Sequence, residues 1–194
     1  DMATGTALLF NIRLPQNFNS PFKSTGIIDF WQRWHITLSH FLRTYIYAPM
    51  LRSFKNINFT KSMFAVLTVF ILAGLWHGPS WVYVIFGALH GIGLIINHTF
   101  RKYFFFNINK KISQVLTFLY VNFTFVFFRS ENVDQALYII YKMTSIFSTN
   151  NYFDFTLNLT LTASIAFIVS IIICFILKNS NWLIDKLRLS KHLD

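Results

Sequence analysis

The sequence predicts an all-α polytopic membrane protein, and three observations support this fold class. Hydrophobic residues make up 54% of the 194 residues and charged residues only 12%, whereas soluble domains carry about twice that charged fraction. The apolar residues are gathered into runs long enough for helices in or near a bilayer. The basic residues, which give a net charge of +10, are clustered between these runs, as in membrane proteins, and not along one face, as in nucleic-acid-binding proteins.

The N-terminal quarter of the chain combines loop and helix signals. We expect residues 1–10 to continue a helix that starts further upstream, and a loop rich in Pro and Asn to follow. Residues 27–50 are apolar and aromatic but contain several charged and imidazole side chains, which predicts interfacial or re-entrant helices. Asp29 and Arg33 are four residues apart and should pair on one helical face, and Pro49 should end the element.

A transmembrane hairpin is predicted over residues 62–98. Its two apolar segments, residues 62–76 and 81–96, are separated by Gly78 and Pro79, which cannot continue a regular helix. Each segment is shorter than the roughly 20 residues of a full crossing. We therefore expect the tip of the hairpin to lie within or near the membrane.

Two further membrane helices are predicted at residues 112–128, which are rich in Phe and Val, and at residues 157–177. Between them, apolar residues at helical spacing predict an amphipathic helix over residues 133–141. Cys174 is the only cysteine, so we expect no disulfide and a buried, unreactive thiol. All these elements should belong to one integral-membrane domain that includes residues 1–194.

Two Trp–His pairs, Trp34-His35 and Trp76-His77, are the strongest candidates for chemistry. His77 lies at the junction of the two hairpin segments, and an ionisable group at membrane depth is expensive and by default functional. Burial favours a neutral imidazole, which suits a general base, and the adjacent indole would shape a partly apolar wall around it. The alternative is that His77 only caps a helix end at the membrane surface.

A polar stripe runs through His35, Ser39 and Arg43, which recur every four residues. The stripe could line the route of a substrate or could be a solvated face. For the other histidines, a structural role is preferred; they are His40, His90, His98 and His192. We expect no metal site, because four ligands at regular spacing are lacking.

Several segments together resemble one known family. Residues 29–47 (DFWQRWHITLSHFLRTYIY) resemble the signature of the membrane-bound O-acyltransferases, and residues 74–91 (GLWHGPSWVYVIFGALHG) resemble its second signature. Residues 127–130 (FFRS) and the loop at residues 10–21 resemble blocks of the bacterial branch that acetylates alginate and peptidoglycan. The teichoic-acid D-alanylation protein is a near relative of that branch. The resemblance extends over residues 1 to about 142.

The resemblance implies a multi-pass protein whose tilted helices surround a funnel. It implies that His77 is the catalytic histidine and His35 the second functional one. As substrate-binding residues we expect Trp34, Trp76, Ser39 and Arg43. No cofactor should be bound, since acetyl-CoA or another activated donor is a substrate. The implied enzyme lies in the cytoplasmic membrane of a bacterium.

In the implied reaction, an acyl group from the cytoplasmic side reaches a cell-envelope polysaccharide or a partner protein outside. The expected partners are the lipid bilayer, a polysaccharide-modifying protein and the N-terminal helices of the same protein, without which we expect no activity. Nucleic acid is not expected. The alternatives are D-alanyl transfer to teichoic acid, a transporter or channel subunit, and a membrane scaffold without activity. Transporters usually have interrupted helices in both halves of a repeat, and the sequence contains one interrupted hairpin.

The basic clusters predict an orientation in the membrane. Residues 52–61, 101–111 and 178–191 contain eleven of the seventeen Lys and Arg residues, so the positive-inside rule places them in the cytoplasm. The hairpin tip and residues 129–155 then face outward.

Cysteine labelling tests this orientation. After replacement of Cys174, a cysteine at Asn107 should resist an impermeant thiol reagent in intact cells, whereas a cysteine at Asn150 should react, because only the second would face outward. Permeabilised cells, in which both sites should react, provide the control. The opposite pattern would reverse the orientation.

Overall fold

The computed structural model describes residues 2–104, 108–145, 161–180, 182 and 186, and its regular structure within these ranges is entirely helical. The α-helices are α1 (Met2–Leu9), α2 (Ile27–Arg33), α3 (Ile36–Leu42), α4 (Ala48–Ser53), α5 (Phe59–His77), α6 (Trp81–Tyr103), α7 (Lys110–Arg129), α8 (Val133–Ser145) and α9 (Leu161–Phe175). The predicted all-α class is confirmed. Of these helices, α5, α6 and α7 are long and apolar enough to cross a membrane.

The hairpin helices are longer than the sequence predicted. Helix α5 has 19 residues and α6 has 23, or about 28 and 34 Å at 1.5 Å per residue. The prediction of short segments was wrong because polar residues at the ends, such as Lys61 and Arg101, belong to the helices although they interrupt the apolar runs. The Asn58 side chain caps α5 by accepting the Lys61 N–H at 2.9 Å.

Two glycines hold α5 and α6 in close contact. A Cβ atom on Gly74 would overlap the carbonyl oxygen of Tyr83, and one on Gly87 would overlap that of Phe70. The two backbones therefore approach more closely than any larger residue permits, as is common where membrane helices pack through small residues. The chain turns directly after this contact, since α5 ends at His77 and α6 begins at Trp81.

Residues 27–53 form short helices rather than one continuous element. Helices α2 and α3 are separated by Trp34 and His35, and a π-helical turn at Arg43–Tyr47 joins α3 to α4. The predicted ion pair forms, with Arg33 Nε 2.6 Å from Asp29 Oδ1. The expectation that Pro49 ends the element was wrong. Proline lies in the first turn of α4, where its missing N–H is not needed.

Three small cores position these elements. Phe30 of α2 packs with Leu94 of α6 and Val121 of α7. Helices α6, α7 and α8 share a second core that contains Phe86, Phe127 and Ala136. The third core joins α3 to α5.

The structure describes part of the C-terminal segment for which the sequence made predictions. Helix α9 contacts α7 where Phe175 meets Phe118, with ring centroids 5.0 Å apart. Cys174 is partly exposed, so the expectation of a buried thiol was wrong. The reason is that few side chains cover this helix, as the exposure of Ile171–Ile173 shows. Predictions at residues 107, 146–160, 188 and 191–194 lie outside the described residues.

Substitution of Gly74 by alanine tests the close helix contact. The added methyl group should destabilise the protein by about 1–3 kcal/mol, the usual cost of overpacking. The measurement is the thermal unfolding midpoint in detergent. Gly5→Ala is the matched control, because no atom lies within 4 Å of the added Cβ. Equal midpoints for the two variants would contradict the proposed contact.

Candidate active site

His77 is held by aromatic contacts and has no hydrogen-bond partner among the described residues. Its ring centroid lies 5.0 Å from that of Trp76, 5.0 Å from Phe128 and 6.1 Å from Phe86. Trp76 is 67% exposed, and His77 is also exposed. Edge-to-face packing of this kind positions a ring through its faces and edges. Both imidazole nitrogens therefore remain available to a substrate.

His35 lies in the break between α2 and α3 and has a left-handed backbone, with φ 45° and ψ 55°. Asn17 fixes this break: its Oδ1 accepts the Thr37 N–H at 3.1 Å and the Thr37 hydroxyl at 3.0 Å, and lies 3.3 Å from His35 Nδ1. Because this oxygen can only accept, Nδ1 must carry the proton when the bond forms. The Nε2 lone pair of His35 is then free for proton transfer.

Burial lowers the pKa of His35 below its ordinary value, against a smaller opposing effect of its backbone hydrogen bond. A lowered pKa favours the neutral imidazole, so protonation requires a more acidic solution than for a free histidine. At pH 7 a larger fraction of His35 is therefore neutral than of a free histidine. The structure thus favours the charge state that a base requires.

The two Trp–His pairs are connected by a row of contacting aromatic rings. Trp34 contacts Phe125 with centroids 5.5 Å apart, Phe125 contacts Phe128 at 6.4 Å, and Phe128 contacts His77 at 5.0 Å. The sequence predicted both pairs separately, and the fold connects them through the rings of Phe125 and Phe128.

His90 joins three helices through a buried hydrogen-bond relay. Trp31 Nε1 donates to His90 Nδ1 at 3.2 Å, His90 Nε2 lies 2.9 Å from Thr124 Oγ1, and this hydroxyl donates to the Val121 carbonyl at 2.7 Å. Since an indole N–H can only donate, Nδ1 must be the acceptor and Nε2 must carry the proton. His90 is 1% exposed. It has the structural role that the sequence suggested, with partners that the sequence did not reveal.

A cavity of about 470 Å³ lies between α2, α3 and the hairpin. Its polar lining residues include Gln32, Ser39, His40, Arg43 and His98. The structure therefore brings together two members of the predicted stripe, Ser39 and Arg43, and adds two histidines that sequence analysis had assigned structural roles. Neither Trp–His pair lines this cavity. Trp34 instead packs among aromatic rings, with its ring stacked on Phe30 at 5.6 Å.

Asn17 and Thr124 are the main residues that sequence analysis missed. Asn17 lies in the loop rich in Pro and Asn, and Thr124 lies in an apolar run without a distinguishing pattern. The Asn-x-Asn spacing before Pro21 was a weak signal for a structured loop, whereas nothing local singled out Thr124. Among the described residues, no group of three or more His, Cys, Asp or Glu could hold a metal ion.

Comparison with known proteins identifies clear similarities. Residues 1–133 match the sequence profile of the membrane-bound O-acyltransferase family. The chain is 42% identical over 153 residues to a peptidoglycan O-acetyltransferase of Helicobacter pylori and 40% identical over 136 residues to a probable alginate O-acetylase of Azotobacter vinelandii. A teichoic acid D-alanyltransferase of Streptococcus thermophilus is 34% identical over 106 residues.

The three alignments cover 75%, 70% and 52% of this chain. They cover only 28%, 27% and 25% of the respective relatives. The chain therefore spans less than a third of the length of the curated relatives it matches.

The His90 relay predicts a large effect of Thr124→Val. The nearly isosteric valine removes the acceptor of a buried N–H, which typically costs about 1–3 kcal/mol of stability. Thermal unfolding in detergent measures this loss. Thr144→Val is the control, because that exposed hydroxyl donates to backbone carbonyls of α8 but receives no bond from a histidine. Unchanged stability of the Thr124 variant would show that the relay does not hold the helices.

Proposed function

This chain belongs to the membrane-bound O-acyltransferase family, and we propose that its two Trp–His pairs carry out acyl transfer to a hydroxyl group. The observation that carries this proposal is the position of His77. Its imidazole lies at the end of a membrane-length helix, is packed by aromatic rings and has no hydrogen-bond partner among the described residues. An ionisable group of this kind is available for proton transfer rather than for structural hydrogen bonding.

In the proposed reaction, a ring nitrogen of His77 accepts the proton of the acceptor hydroxyl. The hydroxyl oxygen attacks the carbonyl carbon of an activated acyl donor, such as a thioester. The carbon–sulfur bond breaks, and the proton passes from the imidazolium of His77 to the departing thiolate. The exposed indole of Trp76 beside the ring would form part of the surface against which the acceptor lies.

We assign the cavity beside α3 to the acyl donor. Its apolar walls suit an extended acyl-bearing arm, and Arg43 supplies a positive charge for an anionic donor such as acetyl-CoA. Ser39 adds a hydroxyl to the same wall. We place His35 between this region and His77, because the break that it occupies adjoins α3 and the neighbouring Trp34 belongs to the row of ring contacts that reaches His77.

The acceptor that we propose is a hydroxyl of a cell-envelope polysaccharide, reached directly or through a polysaccharide-modifying partner protein. The support is that relatives in Helicobacter pylori and Azotobacter vinelandii are named for O-acetylation of peptidoglycan and alginate. We place the protein in the cytoplasmic membrane of a bacterium, with the donor on the cytoplasmic side. D-alanyl transfer is the second candidate, since a relative is named as a teichoic acid D-alanyltransferase.

His77→Ala tests the proposed general base. The variant should insert and accumulate normally, but transfer of labelled acetyl groups to envelope polymer should fall about 10²- to 10⁴-fold, as expected when a general base is lost. The assay uses membranes of cells that express the protein, with protein amount measured by immunoblot. Near-normal transfer by the accumulated variant would exclude His77 as the base.

His35→Ala provides a comparison within the same assay. If His35 contributes to the donor route, its loss should raise the donor concentration needed for half-maximal transfer more than it lowers the maximal rate. Labelled D-alanine, supplied in parallel, separates the two candidate functions. Transfer of D-alanine with no transfer of acetyl would establish the second candidate.

A further inference from the structure

We infer that the cleft between α6 and α7 binds one anionic phospholipid, with the phosphate held by Arg101 and Lys110 and an acyl chain between the helices. The cleft has a volume of about 600 Å³ and lies between two helices that are each long and apolar enough to cross a membrane. It is separate from the donor cavity, since the two share no lining residue. The inference does not depend on the proposed acyl transfer.

A close contact between α6 and α7 closes one end of the cleft. There, Gly93 lies directly against Tyr120, so that a Cβ atom on the glycine would be 2.6 Å from the tyrosine ring. The Tyr120 hydroxyl fixes this contact by donating to the Leu89 carbonyl at 2.6 Å. The α6 wall extends from Gly93 to Arg101, eight residues or about 12 Å along the helix. That depth accommodates a large part of one acyl chain.

The cleft combines two kinds of lining residue that match the two parts of a phospholipid. Apolar residues suit the acyl chain, and cations near the helix ends suit the phosphate. The apolar wall residues include Ile96 of α6, Ile108, and Leu116 of α7, and all three are exposed. Arg101 and Lys110 line the cleft near the helix ends. A cleft between membrane helices that combines apolar wall residues with cations near the helix ends matches the sites that bind anionic headgroups.

The surrounding charges leave the two cations available. The lining residues include no Asp or Glu. Asp29, whose carboxylate accepts the N–H of the lining residue Thr25, is already paired with Arg33 at 2.6 Å. The neighbouring Lys102 lies over the Phe59 ring, 4.2 Å from its centroid, and is directed to another part of the structure.

Native mass spectrometry of the detergent-purified protein tests the site with two lipids that share acyl chains. Wild-type protein should retain dioleoylphosphatidylglycerol more strongly than dioleoylphosphatidylcholine. Arg101→Gln/Lys110→Gln should weaken phosphatidylglycerol retention roughly ten- to thirtyfold, because each cation near a headgroup contributes about a fivefold factor. Arg52→Gln/Lys55→Gln removes the same two charge types from the exposed end of α4 and the residues after it, outside the cleft, and should leave retention unchanged.

Three further measurements decide between a lipid site and other anion sites. Ile96→Trp fills the cleft at its apolar wall without changing the charge and should weaken retention of both lipids. This variant also tests the site if the double variant does not fold. Excess inorganic phosphate or free coenzyme A should not displace the lipid. Equal losses in the two double variants, displacement by phosphate or coenzyme A, or full retention by Ile96→Trp would each overturn the inference.

Discussion

The packing of the helices depends on the two hydrogen bonds of one buried imidazole, that of His90. His90 accepts from Trp31 and donates to Thr124, so α2, α6 and α7 are joined at one point where neither lipid nor water supplies a partner. A buried polar group that lost a partner would cost much of the stability that such a small core provides. The three helices are therefore constrained together. Because only Trp34 separates His35 from the end of α2, the position of His35 relative to the hairpin also depends on this junction.

Aromatic packing connects this structural histidine to the proposed catalytic one. The Phe86 ring contacts His90 at 4.7 Å and His77 at 6.1 Å, so one side chain separates the two imidazoles. The environments of His90 and His77 differ in whether the ring nitrogens are hydrogen-bonded. Hydrogen bonds fix both nitrogens of His90 and remove them from chemistry, whereas ring contacts fix His77 and leave its nitrogens free. The same residue type thus has a structural role at one position and a chemically available one at another.

The breaks between helices place polar groups where a membrane protein can use them. His35 occupies the junction of α2 and α3, and His77 precedes the turn at Gly78 and Pro79. Irregular backbone at membrane depth is tolerated where protein encloses it or where it lines a cavity. At His35, Asn17 supplies the missing backbone partner, so the break is ordered by a loop side chain. Each break therefore presents an imidazole without leaving its backbone unsupported.

The sequence by itself determined the features that depend on near neighbours. The helical class, the break after His77 and the Asp29–Arg33 pair follow from composition, proline chemistry and four-residue spacing. Family resemblance added the roles proposed for the histidines. Tertiary structure decided the partners of His90, which lie 59 and 34 residues away in the sequence. It also decided the contact between Asn17 and His35, which are 18 residues apart. Local periodicity contains no information on contacts between residues so far apart in the sequence, because these contacts depend on which helix faces pack together.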